Sequence, residues 1–285
     1  MLPEQSKSVA SETIPPILYG TAWKEEKTKE LALQALNLGF TGIDTANQRK
    51  HYFEEGVGLA IQEFLLTSQK KRHHLFIQTK FTSANGQDHR KPYNEFDSLA
   101  KQVKQSFTSS LNHLQTDYID AYILHGPTFS QGINKADLEI WQAMEEWVHA
   151  GKVRFLGISN VTIEQVKELY ERALIKPSFI QNRCFAITRW DQDVRLFSNQ
   201  NKIIYQGFSL LTANQPYLLR PYMQSLAKRY NKTIPQIIFR FALQIGILPL
   251  TGTTSLKHMQ DDLSINNFKL SMDEVKNIEN IAINL

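Results

Sequence analysis

Short apolar runs alternate with longer amphipathic stretches along almost the whole chain. The apolar runs are Ile17-Leu18-Tyr19, Thr41-Gly42-Ile43, Leu75-Phe76-Ile77, Ile119 to Leu124, Val153 to Ile158, Phe179-Ile180, Ile203-Ile204-Tyr205 and Ile247-Leu248. Their shortness and bounding turn residues predict eight buried strands. The stretches between them carry helical spacing. From Glu25 to Leu38, Leu31, Leu33, Ala35 and Leu36 fall near one face. From Asp137 to Ala150, Ile140, Trp141, Met144, Trp147 and Val148 form one stripe, and Gly151 follows as a stop. Thr162-Ile-Glu-Gln165 reads as a capping box, followed by Ile163, Val166, Leu169, Tyr170 and Ala173 at helical intervals. Ser271-Met-Asp-Glu274 is a second capping box and opens the last helix.

Eight strand-then-helix units in ~260 residues predict an α/β chain folded as a single-domain (β/α)8 TIM barrel. The expected organisation is a flexible N-terminal segment over 1–15 and the barrel over 16–285. A doubly wound sheet binding a dinucleotide would show Gly-x-Gly-x-x-Gly after its first strand. Tyr19-Gly20-Thr21-Ala22-Trp23 stands there instead. In a barrel, chemistry gathers at the C-terminal ends of the strands.

Composition narrows the class without changing the fold. Of 285 residues, 42% are hydrophobic and 21% charged, ordinary values for a globular domain. No window approaches a membrane span, and the polar residues Met1 to Ala10 lack the apolar core of a secretory signal. The single cysteine, Cys184, excludes a disulfide framework and multi-thiolate zinc sites. A cytoplasmic protein with no membrane partner is the expectation. The net charge is +4, and its densest basic run, Lys70-Lys71-Arg72-His73-His74, has no interleaved aromatics. That run reads as a solvated loop, so no nucleic-acid partner is expected, while a mild excess of base suits an anionic small cofactor.

The strand ends carry a coherent set of side chains. Asp44, then His51 and Tyr52, follow the second strand; Lys80 ends the third; His125 follows the fourth. A phenol is a poor acid at neutral pH, and an ammonium beside it lowers its pKa. A carboxylate holds the ammonium, and an imidazole holds a carbonyl oxygen, so together they make a proton donor for carbonyl reduction. Each has an ordinary reading alone: Asp44 as a turn cap, Lys80 as a solvated strand end, His125 as a satisfied core histidine.

The chain resembles the aldo-keto reductases. The likeness rests on Gly20-Thr21-Ala22-Trp23, Gly42-Ile-Asp44-Thr-Ala46, Gly56-Val-Gly58-Leu-Ala-Ile61 and Phe76-Ile-Gln-Thr-Lys80. It continues through Ser110-Leu-Asn-His-Leu114, Asp117-Tyr-Ile-Asp120, Leu124-His-Gly-Pro127 and Val153 to Asn160. Gln181-Asn182, Tyr205-Gln-Gly-Phe-Ser209 and Pro249-Leu-Thr-Gly252 complete it, in order, from about residue 16 to about 276.

The resemblance implies an NAD(P)H-dependent oxidoreductase that passes hydride to an aldehyde or ketone, with a tyrosine as proton donor. Asp44, Lys80 and His125 match three of the family's four catalytic positions. The fourth is displaced: Arg49 stands five residues after the aspartate, where the family has its tyrosine. Tyr52 is assigned the role, with His51 as its rival, because counting back from Gly58 reaches His51. Ser159, Asn160 and Gln181 match the residues that hold the nicotinamide carboxamide. Tyr205 matches the aromatic stacked on the ring, and Gln206, Gly207, Phe208, Ser209 and Leu210 the loop along the pyrophosphate. Gly20, Thr21, Thr251, Gly252, Thr253, Thr254, Lys257, His258 and Asp261 complete the implied cofactor site. The family's usual base against a 2′-phosphate is missing from Leu250 to Thr254, so NADPH is expected with NADH as the alternative.

Trp23, His51, Phe53, Phe81, Phe129 and Trp190 are candidate walls for a small-molecule carbonyl substrate, in a monomer whose short C-terminus leaves the pocket open. No metal is expected, because His73 and His74 are adjacent and no His-x-x-x-His occurs. The rival function is a non-catalytic, redox-sensing cofactor binder on the same fold.

Overall fold

The eight apolar runs form eight parallel strands: β1 (Leu18–Gly20), β2 (Gly42–Asp44), β3 (Phe76–Phe81), β4 (Ile119–Leu124), β5 (Val153–Ser159), β6 (Phe179–Arg183), β7 (Ile204–Phe208) and β8 (Ile247–Thr251). They pair in sequence order, and β8 closes on β1. The computed structural model describes residues 14–283. The flexible segment expected over 1–15 therefore lies outside the described residues up to position 13. Pro15 is buried beside β2, where a Cβ on Gly42 would meet its ring at 2.3 Å.

Side chains alternate across each strand, and this parity decides what reaches the site. On β3, Phe76, Gln78 and Lys80 share the barrel interior, and Ile77, Thr79 and Phe81 face the helices. Leu18, Phe76, Ala121, Ile123, Phe179 and Leu248 form a separate apolar cluster that fills the lower barrel. The much larger cluster, including Tyr19, Ile43, Ile77, Phe81, Tyr122 and Tyr205, lies between strands and helices. Fully burying one such side chain contributes about 1.5–3 kcal/mol.

The predicted helices are present with shifted starts. A 3-10 turn, Glu25–Lys27, precedes the helix Thr28–Leu38. Trp23 and Glu25 both have positive φ (61° and 48°), so the chain turns sharply there before a continuous helix can begin. The helix Lys135–His149 starts before Asp137 because the Asn134 side chain accepts from the Asp137 N–H, a cap that sequence spacing hid. Gly151, at φ 68°, follows its end as expected. Thr162 and Ser271 cap Ile163–Arg172 and Met272–Glu279 through the two predicted boxes. The connection from β7 to β8 holds three helices, Gln215–Leu218, Pro221–Tyr230 and Ile234–Gln244, where the eight strand-then-helix units implied one.

Candidate active site

Four side chains from the ends of three strands, β2, β3 and β4, meet at the mouth of the barrel. Lys80 is fully buried, and its Nζ donates to Asp44 Oδ1 at 2.6 Å and to the Thr45 carbonyl at 2.8 Å. The same ammonium lies 5.2 Å from the centroid of the Tyr52 ring. Tyr52 meets His125 edge-on, with ring centroids 6.0 Å apart. Burial pushes the Lys80 ammonium down, and Asp44 opposes that. Burial, with Lys80 and His51 nearby, holds the His125 imidazole down to about 3, so it is neutral.

The phenol departs from expectation. Burial and then the Asp44 charge raise the Tyr52 pKa, where an ammonium was expected to lower it. Lys80 sits over the ring and is already tied to Asp44 and Thr45, so the desolvation of the phenolate prevails. Tyr52 therefore stays protonated through the neutral range.

The loop before Tyr52 explains how a displaced tyrosine reaches the site. Pairing with β3 continues past Asp44, through Thr45 N to Gln78 O at 2.9 Å and Asn47 N to Lys80 O at 3.3 Å. Asn47 is buried and donates to Ser106 O and Ser110 Oγ; Gln48 donates to Gly86 O. The chain then turns, and His51 N and Tyr52 N both donate to the Gln48 carbonyl, at 3.1 and 3.0 Å. His51 is also at the mouth, stacked against Trp23 with centroids 4.0 Å apart. Burial first, then Lys50, lowers its pKa.

Beneath these groups lies a ring of buried amides. Asp44 Oδ1 accepts from Gln78 Nε2 at 2.6 Å and Gln181 Nε2 at 3.0 Å, besides Lys80. Gln206 accepts from both amides and donates back to Gln78 at 2.8 Å. These bonds satisfy polar groups that burial would otherwise penalise, and they hold Asp44 in one orientation.

A cleft of about 670 Å³ runs across the mouth. Of the residues assigned to a cofactor, Gly20, Asp44, Ser159, Asn160 and Gln181 line it on one side. Phe208, Ser209 and Leu210 line it beyond β7, and Thr251, Gly252, Thr253, Thr254 and His258 beyond β8. Six assignments fall elsewhere. Tyr205 and Gln206 are buried, the first outward with its hydroxyl on Asp191 Oδ2 at 2.9 Å, the second among the amides. Gly207 shares the outward parity of Tyr205 and lies against Ile247. Phe208, three residues past Tyr205, is the β7 aromatic that reaches the cleft. Lys257 and Asp261 pair with each other at 2.5 Å outside the cleft, while His258 and Asp262, one position on, face it. Thr21 is buried and donates its hydroxyl to the Asp44 carbonyl.

The substrate-wall assignments divide similarly. Trp23, 71% exposed, and His51 line the cleft. Phe81 and Trp190 are fully buried, Phe81 against Tyr93 and Trp190 against Phe241 with its indole N–H on Ile278 O. Phe53 lines a neighbouring cleft under the Arg49 guanidinium, and Phe129 is exposed and does not line the cleft. Cys184 is buried, and burial pushes its thiol up to about 12.

Three charged cleft residues escaped the sequence reading. Lys24 is only 5% exposed and donates to Gly252 O at 2.7 Å, with no carboxylate partner among the described residues; burial lowers its pKa to about 8. Arg183 lies over the Phe208 ring at 5.7 Å. Asp262 Oδ2 accepts from the Thr251 hydroxyl at 2.7 Å, and burial raises its carboxyl to about 7. Lys24 and Arg183 each followed a quoted motif directly, which was the available signal. Two cations without acidic partners among the described residues, on a cleft floored by amides, suit a ligand carrying phosphates and a carboxamide.

Fold and site together define a TIM-barrel oxidoreductase with an acid–base cluster at the mouth. The profile of the aldo/keto reductase family matches residues 16–283, and the chain belongs to that family. It is 30% identical over 245 residues to a glyoxal reductase of Bacillus subtilis, covering 86% of this chain and 80% of that one. It is 27% identical over 292 residues to an NADPH-dependent alpha-keto amide reductase of Saccharomyces cerevisiae, covering 93% and 85%. Among solved structures, an aldo/keto reductase from Brucella melitensis superposes with a TM-score of 0.79 at 26% identity, covering 94% and 95%.

Proposed function

We propose that this enzyme reduces small aldehydes or ketones, using NADPH in preference to NADH, with Tyr52 as the proton donor. The observation that carries the reading is the convergence of Asp44, Tyr52 and His125 on one cleft, with Lys80 buried against Asp44 and the Tyr52 ring. Bound in the cleft, the dinucleotide would supply the hydride. Ser159, Asn160 and Gln181 would hold its carboxamide and Phe208 its ring, with Lys24 and Arg183 toward the phosphates. His258 is the base available to a 2′-phosphate.

The chain's own part is positioning and proton transfer. The neutral His125 ring fixes the carbonyl oxygen beside Tyr52. As that oxygen gains charge, the Tyr52 hydroxyl gives it a proton, and the nearby ammonium of Lys80 stabilises the phenolate left behind. Asp44, held by two amides, keeps Lys80 in place. The names of the glyoxal and keto amide reductases support a small carbonyl with an adjacent polar group, and the open mouth agrees. A cytoplasmic monomer without nucleic-acid partners is also part of this reading; among the described residues, no helix is long and apolar enough to cross a membrane.

The test is turnover of glyoxal and of a simple aromatic aldehyde with NADPH, followed at the cofactor absorbance. Reduction is expected. Tight cofactor binding with no turnover across both aldehydes and a panel of ketones would favour the redox-sensing alternative.

A further inference from the structure

We propose that Thr82 is a positioning residue that sets the tautomer of His125, placing the single ring proton on Nε2. The inference rests on the reading of His125 as the group that holds the substrate oxygen. Thr82 is buried, and its Oγ1 lies 2.6 Å from His125 Nδ1. That contact is the only hydrogen bond of the Thr82 hydroxyl and the only one of the His125 ring among the described residues. The surroundings hold both partners still. The Thr82 carbonyl accepts from Tyr93 Oη at 2.7 Å and Gln87 Nε2 at 3.3 Å. His125 N donates to Phe81 O at 2.9 Å, and His125 O accepts from Asn160 Nδ2 at 2.8 Å.

Proton counting gives the direction. A hydroxyl has one proton to donate, and a neutral imidazole has one N–H and one acceptor nitrogen. If Nδ1 carried the proton and donated to Thr82, the hydroxyl proton would be buried with no acceptor. If Thr82 donates to Nδ1, both groups are satisfied and the ring proton sits on Nε2. Nε2 is then a donor on the nitrogen left open to the cleft, the polarity that a carbonyl oxygen gaining negative charge requires. With the opposite tautomer, a lone pair would face that oxygen.

Protein labelled with ¹⁵N-histidine decides the point through two-bond ¹H–¹⁵N correlation spectra at neutral pH, with the His125 signals assigned by their loss in His125→Asn. Expected are an unprotonated, hydrogen-bonded Nδ1 and a protonated Nε2. Thr82→Val should shift or broaden the Nδ1 signal and lower kcat by about two- to tenfold, the scale of one neutral hydrogen bond, with cofactor Kd unchanged. Thr82→Ser should restore both. A protonated Nδ1 in the wild-type chain overturns the proposal, as do unchanged His125 shifts in Thr82→Val. The wild-type spectrum stands without any variant, so a misfolded Thr82→Val chain leaves the test intact. The expected tautomer in a chain that reduces no carbonyl would remove the proposed function and leave the role of Thr82 in place.

Discussion

Tyr52→Phe set against His51→Gln separates the two residues that sequence spacing left in competition. Tyr52→Phe removes one oxygen. The phenyl ring keeps its place 5.2 Å from the Lys80 ammonium and edge-on to His125. The Tyr52 hydroxyl has no hydrogen-bond partner among the described residues, so stability should change by less than about 1 kcal/mol. Turnover should fall by about 10²–10⁴-fold, the contribution of a positioned acid. His51→Gln removes a ring stacked on Trp23 at 4.0 Å. Such a contact is worth about 0.5–1.5 kcal/mol, or roughly 2- to 13-fold, and it should appear mainly in KM. His51 is a poor rival as acid because burial and Lys50 hold its pKa down, leaving a neutral imidazole near pH 7. Steady-state kinetics at the cofactor absorbance, with cofactor Kd from fluorescence quenching, would give kcat, KM and binding for each variant. A His51→Gln loss in kcat equal to that of Tyr52→Phe would refute the assignment. So would a Tyr52→Phe enzyme within about tenfold of wild type.

Three further outcomes are expected. Lys80→Met should keep its fold and cofactor affinity while carbonyl reduction falls at least ~100-fold; chemical denaturation should show a loss of about 3 kcal/mol or less, because Gln78 and Gln181 still donate to Asp44. Lys24 has its pKa lowered to about 8, so it is cationic below that value and neutral above it. NADPH affinity should therefore weaken as pH rises through about 8, and Lys24→Met should bind about tenfold more weakly at neutral pH with that dependence gone, as read by fluorescence titration on either side of that value. Asp262, raised to about 7, is neutral below that pH and anionic above it, where it repels a 2′-phosphate. The preference for NADPH over NADH should thus shrink as pH rises through about 7, and Asp262→Asn should abolish the trend; paired titrations of both cofactors would measure it.

The sequence by itself determined the barrel and most of its chemistry. Eight apolar runs of strand length, separated by amphipathic stretches, have few other ways to bury both faces of a parallel sheet. Residues at the C-terminal ends of those runs converge once the sheet closes, so Asp44, Lys80, His125 and Gln181 were legible from position alone. Tertiary structure decided which way the neighbouring side chains point. A shift of one residue along a strand exchanges the barrel interior for the helix layer, which is why Phe81 and Tyr205 lie outside the cleft while Phe208, already assigned to it, is the β7 aromatic that lines it. On the helix after β8 the same one-residue shift turns Lys257 and Asp261 away from the cleft, keeps the assigned His258 on it and adds Asp262. The loop between Asp44 and Tyr52 has no periodicity to read. Its path is set by Asn47 and Gln48, whose side chains bond to segments 59 and 38 residues away, and those contacts exist only in the folded chain. The state of the phenol was likewise beyond sequence: Lys80 is close to Tyr52 as expected, but only the folded geometry shows it over the ring, with burial and Asp44 keeping the proton on.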